Sequence, residues 1–163
     1  MLRFTTNKGV FDVELNEAAA PKTCENFLQY VRSGFYNGTI FHRVIKGFMI
    51  QGGGFEPGLE QKTARDPIKN EAANGLKNDK YTIAMARTND PHSATCQFFI
   101  NVVDNSFLNH TAPTPSGWGY AVFGKVVSGF DVIHAIEGVK TATRSWYSDV
   151  PVDDVVIEKV EEI

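Results

Sequence analysis

The chain has 163 residues, a formal net charge of −3 and no Lys/Arg-rich block, which excludes nucleic acid as its main partner. Its length suits one domain, residues 1–163, that can bury a core without disulfide or metal. Hydrophobic residues at 42% exclude a disordered chain, and no apolar run reaches the ~18 residues that span a bilayer, so no membrane partner is expected.

Leu2, Phe4, Phe11, Val13 and Leu15 alternate with polar residues on either side of Thr6-Asn7-Lys8-Gly9. Period two around an Asn/Gly turn predicts a β-hairpin with one buried face. The same N-terminus turns polar at once and carries no charged-then-apolar leader, which predicts a cytoplasmic chain. Pro21 suits a first helical position, and Cys24, Phe27, Leu28 and Val31 follow at helical spacing until Gly34 stops the helix. Thr39 to Val44 and Phe48 to Gln51 read as two short strands. From Gly52 to Lys80 no period is sustained, and long patternless stretches in compact domains are often functional. Tyr81 to Ala86, Gln97 to Val102 and Tyr120 to Val127 are further strands, with a Pro/Gly/Thr-rich loop from Asn109 to Gly119 before the last of them. Ser128, with Asp131 three residues on, predicts the cap of a short helix whose apolar face is Val132, Ile133 and Ile136 and whose end is Gly138. Val155, Ile157 and Val160 suggest a closing strand that pairs with the first region.

About eight short strands and two non-alternating helices argue against a doubly wound sheet. They favour an antiparallel barrel or sandwich with helices packed outside. Twelve Phe among 163 residues argue for a filled interior, not the open lumen of a small-molecule carrier such as a lipocalin. With no surface stripe of apolar residues left over, a monomer is expected.

Familiar catalytic motifs fail on inspection. The run from Gly119 to Val126 resembles a phosphate loop, but Val126 stands where Ser or Thr must hold magnesium, and its apolar residues read as strand. Gly52-Gly53-Gly54 opens no helix and is better read as backbone needing tight turns or close approach. His42, His92, His110 and His134 show no ligand spacing, so no metal site is expected. Cys24 and Cys96 lie far apart and predict two reduced, packed thiols. Ser93 beside His92 does not make a triad, because adjacency in sequence is not geometry.

The informative stretch runs from Phe41 to Gly53, FHRVIKGFMIQGG, where Arg43 and Gln51 interrupt strongly apolar strands. Strand alternation there would put Met49 and Gln51 on one face and Phe48 and Ile50 on the other, and would turn His42 away from Arg43. Further blocks are Met85-Ala86-Arg87, SATCQFFI from Ser93 to Ile100, and Phe107-Leu108. These blocks, with YAVFGKVVSGFDVI, resemble the cyclophilins, a family of peptidyl-prolyl cis–trans isomerases, in family order over essentially the whole chain. The compact length, missing leader and acidic balance resemble the bacterial cytoplasmic members.

The resemblance implies an eight-stranded closed antiparallel barrel capped by two α-helices, with the active groove on its outer face. It implies that Arg43 is the catalytic arginine and that Gln51 orients it and contacts the substrate backbone. Phe48, Met49, Phe99 and Leu108 would line a proline pocket. Ala86, Arg87 and Gln97 would border the groove for the residue before proline, with Phe107 and Tyr120 at the rim. No cofactor and no metal are implied, since rotation about an amide bond transfers no proton or electron. The implied partners are X–Pro segments of unfolded or flexible proteins. Phe107 and Tyr120 stand where eukaryotic cytosolic members commonly carry Trp and His, and the loop between them is longer here. Phe107 cannot donate the hydrogen bond that Trp gives to cyclosporin, so cyclosporin-like cyclic peptides are expected to bind weakly. The competing reading is a non-catalytic proline-peptide binding module or folding chaperone on the same scaffold. Such a module could lose both Arg43 and Gln51, and this chain keeps both.

Overall fold

The computed structural model describes residues 1–163. In chain order the elements are β1 (Leu2–Thr6), β2 (Gly9–Leu15), α1 (Pro21–Arg32), β3 (Thr39–Ile45) and β4 (Met49–Gly52). The two short strands β5 (Phe55–Glu56) and β6 (Glu60–Gln61) come next, then β7 (Thr82–Met85), β8 (Phe98–Asn101) and β9 (Val122–Ser128). The chain ends with α2 (Phe130–Glu137), β10 (Thr141–Arg144), β11 (Tyr147–Pro151) and β12 (Val156–Glu162). Eight strands close into a barrel in the order β1-β12-β3-β4-β8-β7-β9-β2, antiparallel at every pairing. The closing strand β12 joins β1 to β3, so no barrel edge is left open. This is the predicted barrel with two helices, and closure decides against the sandwich.

Phenylalanine fills the interior. Phe4 stacks on Phe11 at 4.7 Å between ring centroids. Phe98 meets Phe4, Phe27, Tyr36 and Phe41 at 5.5 to 5.9 Å, each edge to face, an arrangement that ring quadrupoles favour. The buried faces of both helices belong to this same core: Cys24, Phe27, Leu28 and Val31 from α1, and Val132, Ile133 and Ile136 from α2. Cys24 and Cys96 are buried free thiols, and burial pushes Cys24 up to about 12, which keeps its reactive thiolate form out of reach at neutral pH.

Helix α1 begins at Pro21 as expected, but no neighbouring side chain caps it. Glu71, remote in sequence, takes that role. Its carboxylate accepts from the Thr23 N–H at 2.7 Å and the Thr23 hydroxyl at 2.6 Å, placing negative charge at the positive helix end. The cap expected for α2 is corrected. Gly129 occupies the N-cap position at φ +82°, and Ser128 is the last residue of β9, its hydroxyl bonded to Asp12 at 3.2 Å. The β10–β11 hairpin was not foreseen. Its run from Thr141 to Pro151 shows no apolar alternation, because only its last two residues are buried.

Candidate active site

Position 43 owes its outward aim to an irregularity. In the β3–β4 register Phe41 faces Gly52 and Arg43 faces Gln51, so His42 is an extra residue, a β-bulge. Without it, alternation would send Arg43 to the same face as Phe41, into the core. With it, Phe41 and Val44 both pack inward while Arg43 is exposed on the outer surface. His42 is turned away as expected, though the bulge is the cause. It packs against Phe55 at 4.4 Å and Tyr147 at 6.5 Å, and its Nδ1 has no hydrogen-bond partner.

Burial, with a smaller contribution from the Arg43 charge, pushes the His42 pKa down to about 4. The unfolded chain takes up that proton near its ordinary value of about 6.5, so between these values unfolding binds a proton and stability falls as pH drops. From pH 7 to pH 5 the loss is expected to be about 2 kcal/mol, in a range where most carboxylates stay ionised. Urea unfolding at the two pH values checks this. His42→Leu should remove most of the difference, and an unchanged difference would refute the assignment to His42.

The β3–β4 turn sets the next residue. The Phe48 N–H donates to the Ile45 carbonyl at 3.1 Å, so Phe48 belongs to the turn and not to β4. The expectation that it would share a face with Ile50 is therefore corrected. Ile50 points into the barrel, whereas Phe48 joins Met49 and Gln51 on the outer side. There a second, smaller apolar cluster forms from Met49, Ala84, Phe99, Leu108 and Val122, with Phe48, Ala86 and Tyr120 packed against it. Alternation along β8 separates the two cores: Phe98 faces the interior and Phe99 this outer cluster.

The outer cluster floors a cavity of about 130 Å3 lined by Arg43, Phe48, Met49, Gln51, Ala86, Arg87, Phe99, Leu108 and Tyr120. Nine of the candidates thus meet in one place. Gln97 lines a neighbouring cavity of about 240 Å3 that shares Gln51, Ala86 and Arg87 with the first. Phe107 lines neither. It is 72% exposed and stacks on Phe48 with centroids 5.7 Å apart, a rim position. Tyr120 stands edge-on to Phe99 at 5.6 Å.

Arg43 makes no side-chain hydrogen bond or ion pair within the protein, so its guanidinium is free at the mouth of an apolar cavity. Gln51 lies opposite it in the strand register, but its amide is engaged elsewhere: Nε2 donates to Gln97 Oε1 at 3.0 Å. The expected contact from Gln51 to the Arg43 side chain is not made, because the amide turns toward the β8 side. The glycine run supports this pair by close approach. A Cβ on Gly53 would meet the Phe98 ring at 2.7 Å, and one on Gly54 the Gln97 side chain at 2.5 Å.

Sequence reading missed the frame behind the cavity. Asn78, Asn101 and Asn105 are buried and joined amide to amide. Asn105 Nδ2 donates to the Asn101 Oδ1 at 2.8 Å, and Asn101 Nδ2 to the Asn78 Oδ1 at 3.1 Å. The chain ends on groove backbone: Asn105 donates to the Phe48 carbonyl at 3.0 Å, and Asn78 to the carbonyls of Leu108 at 3.1 Å and Tyr120 at 3.3 Å. Asn105→Ala orphans the buried oxygen of Asn101 and is expected to cost about 2 kcal/mol in denaturant unfolding. A loss within about 0.5 kcal/mol, the usual scatter of surface changes, would show that the network carries no tension.

Comparison with known proteins agrees in every case. The chain matches the family described as cyclophilin type peptidyl-prolyl cis-trans isomerase/CLD over residues 1–162. It is 65% identical over 160 residues to a peptidyl-prolyl cis-trans isomerase of Streptomyces antibioticus, covering 98% of this chain and 96% of that one. It is 59% identical to peptidyl-prolyl cis-trans isomerase B of Escherichia coli strain K12, covering 98% of each chain. Among solved structures, the cyclophilin type isomerase of Cryptosporidium parvum in the presence of the dipeptide Ala-Pro superposes with a TM-score of 0.78. It is 32% identical, over 98% of this chain and 96% of that one.

Proposed function

The chain belongs to the cyclophilin-type peptidyl-prolyl cis–trans isomerases, and from that premise we propose how its groove speeds rotation about X–Pro bonds of flexible or unfolded proteins. The observation that carries the mechanism is a free guanidinium, Arg43, beside an apolar cavity floored by Met49, Phe99 and Leu108.

Amide resonance sets a rotation barrier of ~18–20 kcal/mol, so X–Pro bonds isomerise over tens to hundreds of seconds unaided. In the twisted transition state resonance is lost, and the prolyl nitrogen gains a lone pair that either planar form lacks. A guanidinium donating to that lone pair binds the transition state better than cis or trans substrate. The apolar cavity holds the ring still while the preceding carbonyl swings. Gln51, its amide fixed by Gln97, leaves its own oxygen to accept from the substrate backbone. A thousandfold acceleration requires only about 4 kcal/mol, within reach of one charge-assisted hydrogen bond plus orientation. Acting on nascent or unfolded clients, the same step would remove slow prolyl phases from folding.

A real-time isomerisation assay on an X–Pro peptide, with wild type and Arg43→Ala side by side, tests the reading. Acceleration by wild type that is lost in the variant supports it. No acceleration by folded wild type would leave a proline-binding module.

A further inference from the structure

Arg87 is the second cation of the groove, and the mechanism does not use it. It lines both the proline cavity and its neighbour, so it stands at the divide between them. Its side chain is held on three sides. Nε donates to the Gly119 carbonyl at 3.0 Å, Nη1 donates to the Thr88 carbonyl at 2.9 Å, and the guanidinium carbon sits 4.5 Å over the Tyr120 ring. Nη2 has no partner within the protein.

The electrostatics of this place run against those of the molecule. The chain carries a net charge of −3, yet no carboxylate lines either cavity, while Arg43 lines the first and Arg87 lines both. Asp90 is the one acid between Thr88 and Thr95. It lines neither cavity, and its Oδ1 accepts from the His92 N–H at 2.9 Å. The neighbouring cavity is otherwise walled by neutral residues: the Thr88 hydroxyl donates to Ser93 at 2.8 Å and the Ser93 hydroxyl to the Asp90 carbonyl at 2.6 Å, while Thr95 and Gln97 complete the wall. A fixed guanidinium with an open Nη2, facing neutral walls and no competing acid, is a preorganised carboxylate receptor.

We propose that Arg87 makes the enzyme select X–Pro bonds in which X is acidic, pairing its Nη2 with the Asp or Glu side chain that precedes proline. The proposal rests on the isomerase reading above, in which the residue before proline lies along Ala86, Arg87 and Gln97. Tyr120 and the Gly119 carbonyl already fix the guanidinium, so an acidic substrate spends little entropy in ordering it.

The test measures kcat/KM on three peptides that differ only in Glu, Ala or Lys before proline, for wild type, Arg87→Gln and Arg87→Glu, at low and high salt. Wild type is expected to favour Glu over Lys about fivefold at low salt, the scale of a partly exposed ion pair. The ratio should shrink at about 1 M salt, where the screening length is near 3 Å. Arg87→Gln should flatten the series, and Arg87→Glu should invert it toward Lys. A wild-type Glu-to-Lys ratio near one, or a ratio retained in Arg87→Gln, overturns the assignment. The Ala peptide keeps the two claims apart. If wild type fails to accelerate it, the isomerase reading falls; if wild type accelerates it without charge preference, only the role of Arg87 falls.

Discussion

Arg43→Ala is expected to lower kcat on an X–Pro peptide about a hundredfold or more, the scale for losing one preorganised donor aimed at transition-state charge. The fall should lie in kcat and not in peptide affinity, because the apolar walls Met49, Phe99 and Leu108 proposed to hold the ring do not depend on the arginine. Stability should stay within about 0.5 kcal/mol of wild type. The reason is local: Arg43 is exposed and makes no ion pair or side-chain hydrogen bond, so its removal orphans nothing. An exchange measurement at equilibrium, where a peptide is present with both isomers, reads the rate directly, and thermal unfolding reads the fold. A folded Arg43→Ala protein with full activity would move the chemistry to another residue.

The β3–β4 hairpin itself separates groove from core. The bulge at His42 lets one strand feed Phe41 and Val44 to the interior and Arg43 to the groove, and the turn before β4 delivers Phe48 to the same side as Met49. Neither device can be read from alternation. The block from Phe41 to Gly53 stands out in the sequence because two polar residues sit in an apolar run, which is a statement about composition. Which way those residues point is decided by one extra residue and one tight turn. Family resemblance assigned Arg43 and Phe48 to the groove, where the structure places both, while periodicity alone would have put both on the wrong face.

What stayed hidden has a common physical cause. Asn78, Asn101 and Asn105 are short amides, and outside a fold such residues signal turns. Asn101 and Asn105 pair locally, but their links to Asn78 and to the Phe48 carbonyl join segments 23 and 57 residues apart, which no local window contains. The same holds for Glu71, whose carboxylate caps a helix 48 residues away in sequence. The barrel, in contrast, was legible because Leu2, Phe4, Phe11 and Val13 carry their periodicity locally, and all are fully buried. The β10–β11 hairpin lacked that signal: Ala142 and Thr143 are exposed, and the strand pair is held by backbone register against a surface.

Phe98 and Phe99 give the other large effect, and their adjacency makes it diagnostic. Phe98→Ala is expected to cost about 3–5 kcal/mol, the range for truncating a buried aromatic residue. Small domains hold only about 5–15 kcal/mol in total, so the variant would unfold at markedly lower denaturant. Phe98 is fully buried and meets Phe4, Phe27, Tyr36 and Phe41, rings drawn from two strands, the first helix and the segment after it, so the cavity left behind has rigid walls and collapses poorly. Below its unfolding transition, however, it should isomerise X–Pro peptides at close to the wild-type rate, because the groove is built on the opposite face of β8. Phe99→Ala should behave in reverse. It removes a wall of the cavity proposed to take the proline ring, beside Tyr120, and kcat/KM should fall about tenfold or more, as for the loss of apolar contact in a specificity pocket. Its stability cost should be the smaller of the two, since the cluster it joins has five buried members against the 29 of the interior. Denaturant unfolding and the isomerisation assay on the same two proteins decide the matter. If Phe98→Ala loses activity while still folded, or Phe99→Ala keeps it, the interior and the groove are not the separable structures that the alternation along β8 makes them.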